Sequence, residues 1–343
     1  MTTVPQVSVI IPSRNEVKYI AACLDSLLAN DYPKQCLEVL VVDGMSEDGT
    51  GAIVERYARA HPFIRLVHNP RRVTPVALNL GVAAARGSVI MLMGAHAACP
   101  ATYISELVAW LGQSGADAVG GCCVARPGLD SVTGWAIAAA LSHPFGVGNS
   151  YFRTGTAGPC WVDTVPFGCY RRDVFDRFGG FDEELVRDQD DEFNLRILKG
   201  GGRLLLVPAV VSYYYARDSL KKVWSMFFQY GYFKPLVVRK LGGVMTVRQL
   251  VPALFIAGVV VAGLLAPWLG VARGIAAFGL ACYAAADLVA AAGVAGRLGL
   301  RVGLAASAVF PVVHVAYGLG YWLGVFDFLL LGKRGAATVS LSR

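Results

Sequence analysis

The chain has 343 residues, 55% hydrophobic and 16% charged, with 31 Lys and Arg against 24 Asp and Glu for a formal charge of +7. Soluble domains average about 25% charged residues, so this composition, with a mean hydropathy of +0.51, excludes an ordinary cytosolic globule, and the apolar and aromatic content excludes disorder. The charge excess lies in the most apolar part, since residues 248–343 hold seven basic and two acidic residues; this suits a membrane anchor and argues against nucleic acid as a partner, which calls for a basic stripe on a polar face.

The first 125 residues alternate strand and helix signals. Val7–Ile11 is a β-branched run, expected to end at Pro12, and Val17–Leu28 has apolar residues at helical spacing. Leu37–Val42 is a second apolar run, closed by Asp43-Gly44; Thr50–Ala60 reads as helix, Ile64–Val67 as strand. Thr74–Ala85 reads as a helix capped by Thr74 with Pro75 at its first position. Ser88–Met93 is a fourth strand, Ala101–Leu111 a helix and Ala116–Val124 a fifth strand. Strands apolar throughout and joined by helices predict a parallel sheet covered on both faces. In such sheets ligands bind beyond the carboxyl ends of the strands. Three polar clusters fall there: Ser13-Arg14-Asn15-Glu16, Asp43-Gly44-Met45-Ser46 and Gly94-Ala95-His96. Each alone can be a turn or a helix cap; three on one edge predict a site. Asp43 and Glu16 can accept hydrogen bonds from a base or ribose, and Arg14, Arg71 and Arg72 can meet phosphates. His96 is a candidate metal ligand or a donor to a diphosphate, against the commoner structural role of a lone histidine.

Farther on, Asp188-Gln189-Asp190-Asp191-Glu192 leads into Phe193-Asn194-Leu195-Arg196 and then Gly200-Gly201-Gly202, the pattern of a helix with an acidic first turn. Complementing the helix dipole explains one or two acids; four in five residues point further, to a general base toward a hydroxyl acceptor. The eight cysteines contain no CxxC pair and read as reduced, small apolar residues. No secretory signal is expected, because Val7–Ile11 is too short for one.

Leu220–Val238 is aromatic and apolar, with Lys221, Lys222 and Lys234, and reads as an interfacial amphipathic element or as a helix packed on the soluble domain. Three long, nearly uncharged stretches follow: Gln249–Ala272, then Arg273 to Arg297 with Asp287 inside, then Arg301 to Lys333 with Asp327 and His314 inside. At 1.5 Å per residue, 24 residues reach about 36 Å, enough for a hydrocarbon core of about 30 Å, so three transmembrane helices are expected. Arg239, Lys240 and Arg248 before the first span put residues 1–247 in the cytoplasm, and Arg297 and Arg301 agree. Lys333, Arg334 and Arg343 then fall outside, which the same rule disfavours, so a re-entrant last segment stays open. Asp287 and His314 are either functional groups or inter-helix hydrogen-bonding partners.

Four segments carry a family resemblance: Val9-Ile10-Ile11-Pro12-Ser13-Arg14-Asn15-Glu16; Val41-Val42-Asp43-Gly44-Met45-Ser46-Glu47-Asp48-Gly49-Thr50; Ala77-Leu78-Asn79 with Gly81 and Ala85-Arg86-Gly87; and Gln189-Asp190-Asp191-Glu192. In this order the chain, over about residues 5–220, resembles family 2 glycosyltransferases. Gly94-Ala95-His96-Ala97, Asp163-Thr164-Val165 with Phe167-Gly168, and Gln229-Tyr230-Gly231 with Lys234 are similar to the succinoglycan-type exopolysaccharide branch, which carries C-terminal membrane helices.

The resemblance implies an α/β fold of GT-A type, Rossmann-like with a mostly parallel sheet: a catalytic domain over 1–219, the amphipathic segment 220–247, a membrane region 248–332 and a basic tail 333–343. It implies a nucleotide-sugar donor, UDP-linked, held by Pro12, Arg14, Glu16, Asp43, Ser46, Arg72, Asn79, Gly94, Ala95 and His96. Asp190 is the implied catalytic base, with Gln189, Asp191 and Lys234 on the acceptor side. The reaction implied is inverting transfer to a hydroxyl of a polyprenyl-linked lipid acceptor at the cytoplasmic face of the inner membrane, in cell-surface or exopolysaccharide assembly. Polyprenyl phosphate itself is the alternative acceptor, and a non-catalytic nucleotide-sugar-binding or scaffold subunit the alternative of another class.

One departure stands out. The related branch has Asp-Ala-His-Ala where this chain has Gly94-Ala95-His96-Ala97. Glycine cannot ligate a metal, and Mg2+ or Mn2+ favours carboxylate oxygens, which leaves His96 as the one candidate ligand of that segment. Another carboxylate completes the site, arginines replace the metal's charge, or catalysis is weak or lost.

Overall fold

The computed structural model describes residues 4–244 and 246–335. Its elements alternate at first: β1 (Val7–Ser13), α1 (Ile20–Leu28), β2 (Leu37–Asp43), α2 (Thr50–Ala60), β3 (Ile64–His68), α3 (Thr74–Ala84), β4 (Val89–Leu92), β5 (Ala97–Ala98), α4 (Tyr103–Ser114) and β6 (Ala118–Arg126). Then come α5 (Val132–Ala140), α6 (Pro144–Val147), α7 (Tyr151–Thr154), β7 (Cys160–Val162), β8 (Cys169–Arg171), α8 (Asp173–Phe178), α9 (Gln189–Lys199) and β9 (Leu204–Tyr215). The rest is helical: α10 (Leu220–Leu241), α11 (Val251–Leu265), α12 (Gly270–Leu298) and α13 (Leu300–Gly324), which runs on into a π-helical stretch, Val325–Leu330.

Alternate residues of the central strands serve two cores. Val7, Val9 and Ile11 of β1 pack with Val39 and Val41 against Leu24 and Leu27 of α1 and Ile104 and Leu107 of α4. Ile10, Leu40, Val42, Ile90 and Leu92 face the other way, onto Ala77 and Leu78 of α3, Phe175 of α8 and Phe193 and Ile197 of α9. Every residue of β2 is buried, which is why its sequence is mostly apolar rather than alternating, with buried Glu38 accepting from the Ser8 hydroxyl.

The sheet runs β3-β2-β1-β4-β8-β6-β9-β5, with β7 on β9. Its first four strands are parallel. β8 enters antiparallel between β4 and β6, so the fifth strand does not extend the parallel series. Pro12 lies within β1 instead of ending it, paired in register with Val42. The β4 side of β1 is paired as far as Ile10, so a missing N–H at Pro12 breaks no ladder there. Helix α3 is entered one residue earlier than expected, with Val73 as its cap and Thr74 inside.

The chain divides into two compact units, Met1–Val124 with Thr154–Tyr215, and Ala125–Arg153 with Ala216–Arg343. The first contains the sheet. The second takes α5 and α6 as well as the long helices, whereas the expected catalytic domain over 1–219 included residues 125–153. Within it α10 lies on α13 with backbones nearly touching. A Cβ added at Gly231 would fall 2.0 Å from the Tyr317 carbonyl oxygen, and at Gly320 and Gly324 2.1 Å from those of Phe228 and Tyr232. Such small-residue contact lets helices pack without a large apolar driving force. α10 is therefore mostly covered, Lys234 included.

Among the described residues, three helices are long and apolar enough to cross a membrane: Val247–Leu265, Gly270–Leu298 and Leu300–Leu330. In the first two, 11% and 17% of the apolar window is buried within the chain, leaving Phe278, Val289 and Leu264 outward. α12 and α13 form an antiparallel pair, with Gly303 against Ala291 and Ala295 and the Tyr283 hydroxyl 2.8 Å from His314 Nδ1. The other ring nitrogen of His314 is 2.8 Å from the Phe145 carbonyl. His314 is thus an inter-helix tie. Asp327 ties α10 to the π-helical stretch, accepting from Tyr232 at 2.7 Å and from Lys333 at 2.7 Å. Of the basic tail, Lys333 and Arg334 are described, and Arg343 lies outside the described residues.

Candidate active site

Parallel pairing puts the ends of β1, β2, β3 and β4 on one edge of the first unit, with Ser13 opposite Asp43 and Asp43 opposite His68. The loops leaving that edge are cross-braced. Asp43 accepts from the Ser46 amide at 2.9 Å and the Ser46 hydroxyl at 2.5 Å. Ser46 Oγ in turn accepts from the Asn15 amide at 2.8 Å, and Asn15 Oδ1 from the Glu47 amide at 3.0 Å. Asp48 takes the Thr50 amide and hydroxyl and the Val17 amide, while Thr50 Oγ1 accepts from the Glu16 amide. Desolvation works against the Asp48 carboxylate, but hydrogen bonds from Thr50 and Val17 outweigh it and hold its pKa below the usual 3.8.

Backbone strain collects here. Asn15, Met45, Arg72, Phe167 and Asp188 have φ between 44° and 60°, a region that costs a residue with a side chain about 1–2 kcal/mol. Three follow β1, β2 and β3, and the other two lie in the loops before β8 and α9. Non-glycine residues persist there where surrounding contacts over-determine them, commonly at functional sites.

Most of the expected donor-side residues meet on this edge. Arg14 Nη1 is 3.4 Å from the Arg72 carbonyl, and the Arg72 guanidinium is 3.6 Å from Glu47. Glu16, 6% exposed, lies 3.2 Å from His96 Nδ1. The His96 ring also meets Tyr214 edge-on at 5.2 Å, and its carbonyl accepts from the Tyr215 amide. Pro12 is half-buried beside Ser13. The Ser13 hydroxyl, in a residue 3% exposed, has no hydrogen-bond partner among the described residues. It is an orphaned polar group at the end of β1, in the first of the three polar clusters.

Two expected contributors are engaged elsewhere. Asn79 donates to the Phe181 carbonyl at 2.9 Å and to Glu183, and accepts from the Phe181 amide, so it clamps the loop before α9. Arg71 pairs with that same Glu183.

Helix α9 carries the second acidic cluster. Phe193, fully buried, stacks on Phe175 at 5.2 Å and meets Phe181 at 4.6 Å, pairs worth about 0.5–1.5 kcal/mol each beyond burial. Glu192, 4% exposed, makes a two-pronged bond to Arg196 at 2.9 and 2.8 Å. Buried Asn194 accepts from Tyr170 at 2.8 Å and donates to Thr164 Oγ1 at 2.9 Å and the Val165 carbonyl at 3.3 Å. These bonds fix the helix and leave Asp190 exposed on its first turn, with Gln189 and Asp191 half-buried. Asp190 is near enough to the Tyr170 phenol to add to the upward push that burial gives that group. Lys234 belongs to the second unit, buried in α10.

A divalent cation fits these residues poorly. A Cβ at Gly94 would lie 3.0 Å from Phe167 Cε1, and among the described residues no group of three or more His, Cys, Asp or Glu converges to hold a metal.

Comparison with known proteins accounts for this arrangement. The sequence profile of Glycosyl transferase family 2 matches residues 8–179. The chain is 30% identical to the succinoglycan biosynthesis protein ExoA of Rhizobium meliloti over 93% of its own length and 95% of that protein's. It is also 30% identical to the dolichyl N-acetyl-alpha-D-glucosaminyl phosphate 3-beta-D-2,3-diacetamido-2,3-dideoxy-beta-D-glucuronosyltransferase of Methanococcus voltae, over 68% of this chain and 74% of the archaeal one. Among solved structures it is similar to the mannosyltransferase PcManGT from Pyrobaculum calidifontis, in complex with GDP-Man and Mn2+, with a TM-score of 0.56, 25% identity and coverage of 92% and 88%. With a GT-A sheet, the motif loops on its ligand edge and the family profile over half its length, the chain belongs to glycosyl transferase family 2 and is a glycosyltransferase.

Proposed function

We propose that the chain transfers a sugar from a nucleoside diphosphate donor, UDP-linked, to a hydroxyl of a lipid-linked glycan at the cytoplasmic face of the membrane. The observation that carries this is the pairing, within one unit, of a cross-braced loop edge around Asp43, Ser46 and Glu16 with an anchored helix that exposes Asp190. Pro12, Arg14, Glu16, Asp43 and Ser46 hold the nucleoside, and Arg14, Arg72 and His96 face the diphosphate. Asp190 takes the proton of the acceptor hydroxyl as its oxygen attacks the anomeric carbon. The new C–O bond forms as the bond to the diphosphate breaks on the opposite side, so the anomeric centre inverts, and the nucleoside diphosphate leaves. Gln189 and Asp191 orient the acceptor. Within the expected catalytic range 1–219, these groups, from Pro12 to Asp191, belong to the first unit.

The names of two relatives support an acceptor of this class, one a dolichyl-linked sugar phosphate and the other a polysaccharide pathway. Three apolar helices support work at a membrane. Nucleotide release from a panel of UDP-, GDP- and dTDP-sugars, with full-length protein in membranes and lipid extract as acceptor source, tests the reading. Release that requires lipid extract is expected. Nucleotide binding without release, after acceptors of both hydroxyl and phosphate type have been supplied, would move the chain to a binding or scaffold role.

A further inference from the structure

Helix α10 and the second half of α13 are held at one depth by touching backbones. Phe228 lies against Gly320 and Tyr232 against Gly324, and farther along the Arg239 guanidinium donates to the Phe328 carbonyl at 2.6 Å. The order of these contacts makes the two helices run in the same direction. α10 carries Lys221, Lys222, Lys234, Arg239 and Lys240 and no acid within its 22 residues, and it is not among the helices apolar enough to cross a membrane. Charges within a span are expensive. An α13 that crossed upright as far as Leu330 would carry α10 through the hydrocarbon beside it. The other side of the same stretch is apolar. Leu319, Leu323, Phe326 and Leu330 recur at four-, three- and four-residue spacing and are all exposed, while Gly320, Gly324 and Phe328 face inward. Basic groups collect at its end: Lys333, Arg334 and, on α10, Arg239. An apolar ridge with basic flanks is the pattern of a helix lying in the plane of the headgroup boundary. α13 also meets the first turns of α11, with Gly318 against Pro252 and the Trp322 indole donating to the Ala253 carbonyl at 2.8 Å, which places this part of α13 at the Arg248 end of α11.

We propose that α11 and α12 are the crossing helices, and that α10, the second half of α13 and its π-helical continuation lie flat on the lipid surface. The ridge from Leu319 to Leu330 is set into the acyl boundary, and Arg239, Lys333 and Arg334 sit among lipid phosphates. The inference rests on the reading of the chain as a membrane protein. Two crossings return the chain to the side it left. Arg248, Arg297, Arg301, Lys333 and Arg334 then share that side, and the conflict between a basic end and the positive-inside rule disappears. The connection between α11 and α12, with exposed Trp268, lies on the opposite side, where an interfacial tryptophan is common.

The test uses the full-length chain with Cys36, Cys160 and Cys282 replaced by Ala, which leaves the native cysteines that are buried. In sealed membrane vesicles of one orientation, Glu55→Cys, Trp268→Cys and Arg334→Cys are treated with a membrane-impermeant maleimide. The Glu55 and Arg334 positions are expected to label from the same face and the Trp268 position from the other. In phosphatidylethanolamine and phosphatidylglycerol vesicles, nitroxides at Leu319→Cys, Leu323→Cys, Phe326→Cys and Leu330→Cys report depth by oxygen against nickel-chelate relaxation. All four are expected within about 5 Å of one another, one helical turn. Two results overturn the inference and leave the membrane reading standing. One is an Arg334 position that labels with Trp268 and not with Glu55. The other is a set of nitroxide depths that spreads steadily over about 16 Å, the rise of an upright helix from residue 319 to residue 330. A Trp268 position that labels from the same face as Glu55 overturns the membrane reading, and this inference with it.

Discussion

The two acid-rich segments, Asp43–Asp48 and Asp188–Glu192, look alike in sequence and use their carboxylates differently. In the first, Asp43 and Asp48 accept hydrogen bonds from backbone amides and hydroxyls of Ser46, Thr50 and Val17, so the acids build the loop. In the second, Glu192 is taken up by Arg196 and the helix is anchored by Asn194 and Phe193, while Asp190 stays exposed. Within such clusters, burial with directed donors marks the acids that make a shape.

The largest effect is expected at Asp190. Asp190→Asn removes a general base and should lower kcat about 10³-fold, roughly 4 kcal/mol, with nucleotide affinity and melting temperature unchanged. A loss under about tenfold would favour a phosphate acceptor, which needs no base. Next is Asp43→Ala, which strands the Ser46 donors and removes an acceptor from the donor edge. It should weaken nucleotide binding about 10- to 100-fold, measured by calorimetry, the scale of a charged hydrogen bond.

Glu192→Gln sharpens the contrast from the structural side. It breaks the Arg196 pair and should cost about 2–3 kcal/mol of stability in denaturant titration, with nucleotide KM nearly unchanged. A drop in kcat matching that of Asp190→Asn, without loss of stability, would make Glu192 the base and reverse the assignment. The smallest effect is a pH dependence at Asp48. Its pKa is depressed in the folded chain, so it stabilises the fold above its unfolded value of 3.8 and that contribution is lost as pH falls through the lower folded value. The stability gap between wild type and Asp48→Ala should be constant from about pH 5 to 8 and close below about pH 4. A gap that instead opened as the pH fell would sink the hydrogen-bonded role.

Legibility followed the range of the forces involved. The strands β1, β2 and β4 and the helices around them were readable because burial on both faces makes a strand mostly apolar, a signal carried by adjacent residues. The clusters after β1, β2 and β4 were readable as one edge because parallel pairing fixes where strand ends lie. The resemblance implies Asn79 on the donor side and guanidinium chemistry suggests Arg71, but their partners, Phe181 and Glu183, lie more than a hundred residues away, beyond any local pattern. The contacts of Asn194 and Phe167, both within quoted motifs, were unreadable for the same reason. An asparagine on a helix and a phenylalanine before a glycine carry no mark of the bonds or clashes that fold geometry gives them.

By itself, the sequence determined that a two-faced α/β sheet precedes three helices able to cross a membrane, and that the polar loops of family 2 gather at the carboxyl ends of the strands. These are consequences of local periodicity and of the hydrophobic effect acting on contiguous runs. Tertiary structure decided which acids brace and which stay exposed, that residues 125–153 join the helical unit, and that α10 packs on α13 through glycines. Those outcomes depend on contacts between residues distant in the chain, where a few tenths of an ångström in packing settle what fits.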